Sequence, residues 1–261
     1  MAATADKYAL YQQTVQEAEP EVEFFDRAYR HVRGGKPKVL REDFCGTFQI
    51  CCEWAKKRDR IAIGVDNDPE PLEWGRQHNL AKIPEAAQQR VTLIEDDVRK
   101  VQGPKADVLA AQNFSFFGFK TRDALGEYFK KARQNLKPDG IMVLDMMGGA
   151  ECWEDEREDV TDYGRFTYVW EQASLDPISH EGTWHIHYRF SDGSKLEPAF
   201  TYNWRLWTLP EVRELLAEAG FAKSHVYWEG TDEDGDGNGV WRKVTRGESD
   251  PCWIAYIVAE K

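Results

Sequence analysis

Five short apolar runs alternate with helix-length amphipathic segments through the first half of the chain, and this alternation restricts the fold more than any other feature. The runs "KPKVLRED", "RIAIGVD", "VTLIEDDV", "ADVLAAQN" and "GIMVLDMM" are rich in Val, Ile and Leu, and each closes on a polar residue. Between them lie "TFQICCEWAKKR", "DPEPLEWGRQHNL" and "TRDALGEYFKKARQNLKPDG", the last stopping at Pro-Asp-Gly. Strands that are apolar throughout and separated by helices predict an α/β fold with a parallel sheet covered on both faces. A chain of 261 residues, 41% of them hydrophobic, can bury the core such a fold requires. In this architecture ligands bind outside the carboxyl ends of the strands, where the strand order reverses. The polar residues closing each run therefore outline the expected site.

Those endings are Glu42 before the Cys45-Gly46-Thr47 turn, Asp66-Asn67, Asp96-Asp97-Val98, Gln112-Asn113 and Asp145. An acid about 20 residues after a Gly-containing turn is the usual grip on a ribose, because one carboxylate accepts from two adjacent hydroxyls. Asp66 stands in that relation to Gly46. Asp97 could accept from an adenine amino group while the neighbouring Val98 amide donates to the ring. The turn itself, "VLREDFCGTF", holds one glycine where a pyrophosphate-binding turn usually carries several for close backbone approach. That scarcity argues against a nicotinamide cofactor.

Taken in order, "VLREDFCGTF", "IGVDNDPEPL", "LIEDDVRKV", "ADVLAAQNFSFF" and "LKPDGIMVLDMMGG" resemble the class I S-adenosylmethionine-dependent methyltransferases. The likeness runs from about Lys36 to Gly149 and resumes at "YNWRLWTLPEVRELLAEAGF". It implies a Rossmann-like seven-stranded sheet with a reversed final hairpin, helices on both faces, and S-adenosyl-L-methionine as cofactor. By this resemblance Arg41, Glu42, Cys45 and Gly46 surround the methionine moiety, Asp66 with Asn67 holds the ribose, and Asp97 with Val98 meets adenine. Tyr11 reaches the cofactor from an N-terminal helix, and Asn113 lies beside it at the fourth strand. The family usually has Gly at the positions of Phe44 and Phe48. S-adenosylmethionine has no phosphate, so one glycine can suffice; the two rings are expected to pack in the core or to lie beside the sulfonium.

The organisation read from the sequence is an N-terminal helical cap over 1–35, a cofactor-binding core over 36–150, an antiparallel β insertion over 151–205, and the last helix with two closing strands over 206–261. In the cap, Tyr8, Tyr11 and Val15 fall at helical spacing, and a second amphipathic run ends at Gly34-Gly35. In the insertion, "GRFTYVWEQASL", "GTWHIHYRF" and "AFTYNWRLW" read as strands, with "SDGS" as a hairpin turn. Trp184, Ile186, Tyr188 and Phe190 take one face of the middle strand, and His185, His187 and Arg189 take the other. The segment is similar to the insertion after the fifth strand in small-molecule methyltransferases, amino-sugar enzymes among them, where it can roof the substrate pocket or carry a dimer contact. Trp184, Tyr188, Trp204 and Trp207 are the candidates for an aromatic wall.

Two metal readings are weaker. His185 and His187 would need a third ligand, and only His180 or Glu181 is at hand, so an exposed polar face is expected. Asp232, Asp234, Asp236 and Gly237 match the start of a calcium loop, but Lys243 stands where a bidentate Glu belongs and Gly239 holds the eighth position. This run reads as a hairpin between the last two strands.

Charge narrows the partners. With 34 basic against 46 acidic residues, a net charge of −12 opposes a polyanion, and the basic clusters "AKKRDR" and "FKKAR" look like exposed helix faces. Five cysteines with no C-x-x-C spacing suggest a reduced cytoplasmic protein, and neither a membrane span nor an export signal is visible. The function read from the sequence is methyl transfer to a nitrogen or oxygen of a small molecule, by a possible homodimer. The alternatives are an RNA or protein methyltransferase, or a cofactor-binding module without catalysis. Asn113 and Asp145 end neighbouring strands and are the catalytic candidates. "NFSF" loosely resembles the Asn-Pro-Pro-aromatic motif of amino-methylating enzymes but lacks both prolines. Positioning of the acceptor is expected to matter more than a strong base.

Overall fold

The computed structural model describes residues 1–232 and 237–261. The chain opens with α1 (Lys7–Thr14) and α2 (Ala18–Arg33), which ends where Gly34 turns left-handed. Alternation follows: β1 (Val39–Asp43), α3 (Gln49–Lys56), β2 (Ile61–Asp66), α4 (Pro69–His78), α5 (Glu85–Gln88), β3 (Val91–Glu95), β4 (Ala106–Ala111), α6 (Arg122–Asn135) and β5 (Leu136–Gly148). The insertion supplies β6 (Arg157–Asp162), β7 (Phe166–Leu175), β8 (Glu181–Phe190) and β9 (Lys195–Arg205). The chain closes with α7 (Leu209–Glu218), β10 (Lys223–Thr231), β11 (Gly237–Val244) and β12 (Trp253–Glu260). Helix starts follow local chemistry: Asp68 and Thr121 accept from amides in the first turns of α4 and α6, and Thr208 forms a capping box with Glu211 on α7.

The main sheet runs β11-β10-β12-β5-β4-β1-β2-β3. β1 to β5 pair in parallel, and β12 is antiparallel to both β5 and β10, which makes the reversed hairpin expected of this fold. An eighth strand extends the edge. The sequence placed the acidic hairpin between the last two strands; it joins β10 to β11 instead, and β12 comes later. The calcium-loop positions Asp234 and Asp236 lie outside the described residues.

Alternation along the strands divides the core into two layers. Leu40, Val108, Ala110, Ile141 and Val143 face α2 and α3, packing with Phe25, Phe48 and Trp54. Leu109, Ala111, Met142 and Leu144 face α6 and α7, packing with Phe129, Leu216 and the insertion's Trp184 and Trp204. Helices therefore cover both faces, as parallel strands demand. Arg60, at the end of "AKKRDR", is buried: its guanidinium pairs with Asp26 of α2 and lies 4.0 Å from the Trp54 ring centroid. Lys56, Lys57 and Arg58 of that cluster are exposed as expected, and Arg60 alone of its basic residues is buried, bracing the end of α3 against α2. Among the described residues no helix is long and apolar enough to cross a membrane.

The insertion forms a separate antiparallel sheet, β6-β7-β8-β9. β6 escapes a sequence reading because "REDVTD" is mostly charged and lies exposed at the sheet edge. Phe166, Ile186, Tyr188 and Phe190 pack with Leu10 and Tyr11 of α1, so the insertion and the N-terminal segment form one small core of their own.

Candidate active site

The sheet order reverses at β1: β2 and β3 follow on one side, β4 and β5 on the other. Two turns meet at this point, the one after β1 and the one after β4. In the first, Phe44, Gly46 and Phe48 all have left-handed backbones, with φ of 59°, 50° and 47°. The chain thus keeps the conformation that glycines usually supply while placing side chains on it. A left-handed L-residue costs about 1–2 kcal/mol, and burying a phenylalanine contributes about 1.5–3 kcal/mol, so the two terms can offset each other. Phe48 is 0% exposed. A Cβ on Gly75 would come 2.5 Å from its Cε1 atom, which is why that helical position is glycine. Phe44 packs edge-on against Phe119 and Tyr128, at 5.9 and 5.5 Å between centroids. Both phenylalanines are packing residues; Phe44 also lines the cleft above.

Beneath this turn lies a buried polar network. Arg41 Nε donates to Asp43 Oδ1 at 2.6 Å, its two terminal nitrogens donate to the Val98 and Val101 carbonyls at 3.0 and 3.1 Å, and Tyr128 Oη donates to Asp43 Oδ2 at 3.2 Å. Arg41 is 1% exposed and is not brought to the cleft: it ties β1 to the segment after β3. Glu42 is also buried, accepting from the Cys51 amide at 3.1 Å, and burial pushes its carboxyl up to about 8.

Above the turn is a cleft of about 330 Å³. Cys45, Gly46 and Thr47 form part of its floor, Asp66 and Asp68 stand at one side, and Lys7, Tyr8 and Tyr11 of α1 close over it. Asp66 is held rigidly, its Oδ2 accepting from Gly46 N at 2.7 Å and its Oδ1 from Asp68 N at 2.9 Å. Burial raises its pKa, and these amide donors oppose the rise. The α1 helix is tied down at both ends. Asp6 caps it and accepts from Trp74 Nε1 at 2.8 Å, and Gln12 Nε2 donates to Thr47 Oγ1 at 2.8 Å.

The second turn, after β4, carries Asn113 and Phe114, both at φ 57°. Asp145 of β5 explains that strained pair: its carboxylate accepts from the Asn113 amide at 2.9 Å and the Phe114 amide at 3.1 Å. Burial pushes Asp145 up to about 7, opposed by these two donors. Asp145 therefore holds the turn that presents Asn113.

A larger cavity of about 510 Å³ opens beyond Asn113, between α2, the insertion and β11. Its aromatic walls include Phe24, Tyr168, Trp170, Trp241 and Tyr256; its acids include Glu17, Glu21, Asp145, Asp159 and Glu229. Tyr11, Asn113, Tyr202 and Trp204 line both this cavity and the cleft. Of the four aromatic residues expected to form a wall, only Trp204 does so. Trp184 and Trp207 are buried with their Nε1 atoms donating to Gln172 Oε1 and the Phe119 carbonyl, and Tyr188 bonds Thr14 Oγ1 at 3.1 Å.

The other expected site residues fall outside the two spaces. Asn67 is exposed and lines neither. Asp97 is engaged by Arg99, with 2.6 Å between Oδ2 and Nη2, and Val98 is buried beside it. His185 bonds Thr201 Oγ1, and His187 bonds Glu171 Oε2 at 2.9 Å. At 7% exposure His187 is not on an open polar face; the Glu171 it bonds, on the neighbouring strand, is half-buried. Among the described residues no group of three or more His, Cys, Asp or Glu side chains is placed to hold a metal. The sequence reading missed Tyr8, Glu21, Tyr202 and Trp241. Tyr8 shares the helical face of Tyr11, and Glu21 interrupts the apolar stripe Ala18, Val22, Phe25, Ala28 and Tyr29; both signals were available.

No protein-family model matches the chain. A curated protein of Bacillus subtilis (strain 168), named "Putative methyltransferase YqeM", is 24% identical over 210 residues, covering 73% of this chain and 76% of its own length. Among solved structures, the CcbJ methyltransferase of Streptomyces caelestis superposes with a TM-score of 0.69 at 15% identity, over 97% of this chain and 98% of its own. S-adenosylmethionine-bound CalS10, an amino pentose methyltransferase from Micromonospora echinaspora, gives 0.68 at 17% identity, over 97% and 95%. With the order of the sheet, the reversed strand β12 and the site at the reversal point, the chain has the fold of the class I S-adenosylmethionine-dependent methyltransferases.

Proposed function

We propose that this protein is an S-adenosylmethionine-dependent methyltransferase that moves the methyl group to a nitrogen or oxygen of a small molecule. The observation that carries the reading is the meeting of two cavities at Tyr11, Asn113, Tyr202 and Trp204, where the sheet order reverses. The narrower cleft suits the cofactor. Asp66 offers carboxylate oxygens to a pair of ribose hydroxyls. Lys7, the one cation among the described lining residues, is already paired with Glu70 at 2.8 Å, so no free cation awaits a phosphate. The faces of Tyr11, Phe44 and Trp204 favour a sulfonium. Asp97 keeps unused acceptor capacity beside Arg99 and is the adenine candidate with the Val98 amide.

The cofactor supplies a methyl group on a good leaving group, which leaves alignment and water exclusion to the protein. Asp145 fixes the turn, Asn113 orients the acceptor, and Tyr202 and Trp204 separate the two spaces. A cavity of about 510 Å³ has the size of a small-molecule site, and its acids together with the −12 charge oppose a nucleic acid. The amino-pentose substrate class in CalS10's name is consistent with a small acceptor. Methyl-labelled S-adenosylmethionine, incubated with separate metabolite, peptide and RNA pools, tests the reading by mass spectrometry. Label in a metabolite is expected; label confined to RNA or peptide, or cofactor binding without transfer to any pool, contradicts it.

A further inference from the structure

Glu21 stands out in the larger cavity. It lies on the buried stripe of α2 between Ala18 and Val22, is 8% exposed, and lines the cavity. Among the described residues its Oε2 atom has no hydrogen-bond partner. Among the described residues the charged groups that act on it are all acids: Asp145 from β5, Glu42 from β1 and Glu17 from the start of α2. The Tyr256 phenol of β12 also lies within its field. A buried carboxyl facing only acids is costly to keep, and an apolar residue would serve α2 better. Such a group points to a ligand that completes it.

We propose that the acceptor is a basic amine and that Glu21 is the residue that receives its nitrogen. The inference rests on the methyl-transfer reading above and deepens it by naming the acceptor class. The faces of Tyr168, Trp170, Trp204 and Trp241 suit a cation on its way in, and Arg27 is the one basic residue among the described lining residues. Burial holds the Glu21 carboxyl well above the usual range, which favours its protonated form in the unfilled cavity. When an ammonium binds, one proton leaves to solvent and one is shared between nitrogen and Oε2. The bound state is thus an ammonium–carboxylate pair, and during transfer the shared proton moves from nitrogen to the carboxyl, freeing the nitrogen lone pair. That lone pair forms the new C–N bond as the C–S bond breaks, and the bonding electrons remain on sulfur. The product is an N-methylammonium that can then shed its proton.

Cyclohexylammonium and cyclohexanol are matched probes that differ at the reacting atom. Calorimetry in buffers of different ionisation enthalpy, with and without S-adenosylhomocysteine, reads both affinity and protons exchanged. Wild-type protein is expected to bind the ammonium at least tenfold more tightly than the alcohol and to release about one proton near neutral pH. Glu21→Gln should bring the two probes within about twofold and abolish the release; Glu21→Asp should retain part of both, and S-adenosylhomocysteine affinity should not change in either. The wild-type preference is independent of whether the variants fold. Equal binding of the two probes, including no binding of either, overturns the proposal, and so does a folded Glu21→Gln variant that keeps the preference and the proton release. Failure of S-adenosylhomocysteine to bind while the ammonium preference stands would count against the methyl-transfer reading alone.

Discussion

The cleft over β1 and the cavity beyond Asn113 are neighbours built in different ways. The cleft is floored by strand ends and the turns that follow them, with backbone amides fixing Asp66, and α1 and β9 cover it. The cavity is assembled from α2, the insertion, β11 and β12, which lie far apart in the chain. The difference teaches where rigidity resides. A cofactor shared by many enzymes can be held by the main chain of the sheet, whereas an acceptor is met by side chains from elements added around it.

The severest way to break the cleft is to fill the space beneath it. A Cβ on Gly75 would lie 2.5 Å from both Phe48 Cε1 and the Thr47 carbonyl oxygen, so Gly75→Val should destabilise the protein by about 3 kcal/mol or more in urea unfolding. The cavity residues offer no equivalent backbone clash. Next in size, Asp66→Ala should weaken S-adenosylmethionine binding by about 1.5–3 kcal/mol, read by calorimetry. Unchanged affinity would remove Asp66 from the cofactor site.

A pH experiment sharpens the contrast between two buried carboxyls. Glu42, beneath the cleft, has one amide donor, whereas Asp145, beside the cavity, has two. Burial raises Glu42 to about 8 in the folded protein against 4.5 ordinarily. The folded state therefore holds a proton that the unfolded chain releases, and this stability is present at low pH and lost as pH rises through about 8. Glu42 should contribute a fall of up to about 1.4 kcal/mol per pH unit between those values, and Glu42→Gln should flatten the slope of stability against pH. A slope unaltered in Glu42→Gln would show that the carboxylate is ionised in the fold.

The smallest expected effect lies at the boundary of the two spaces. Asn113 has φ 57°, so glycine rather than alanine removes its side chain without adding backbone strain. Asn113→Gly should lower transfer about tenfold, the worth of one hydrogen bond, with cofactor affinity unchanged. A matching loss of cofactor affinity would move Asn113 from the acceptor side to the cofactor side.

Legibility in the sequence follows the same division. The strands, their polar ends and the Gly46–Asp66 relation could be read because each depends on a short stretch of chain. The left-handed turn was legible only in part: its phenylalanines mask positions where glycine would have announced the geometry. Arg41 read as a residue of the cleft because nothing in the sequence shows that Asp43, two positions away, binds its side chain beneath the turn. The insertion's aromatic residues could be assigned to a face but not to a neighbour, so Trp184, Tyr188 and Trp207 were placed in a wall they do not form. Strands β6 and β11 are charged or glycine-containing edges whose pairing arises only in the assembled sheets. The acidic cavity could not be foreseen, since its acids come from segments that only the fold brings together.

The assignment of the two spaces is tested most directly by a crystal structure of the protein with S-adenosylhomocysteine. The account predicts the ribose hydroxyls within hydrogen-bond reach of the Asp66 carboxylate, and the sulfur beside Tyr202 and Trp204, facing the cavity lined by Glu21. An adenosine moiety seated in that cavity, or a ligand with its ribose away from Asp66, would contradict the account.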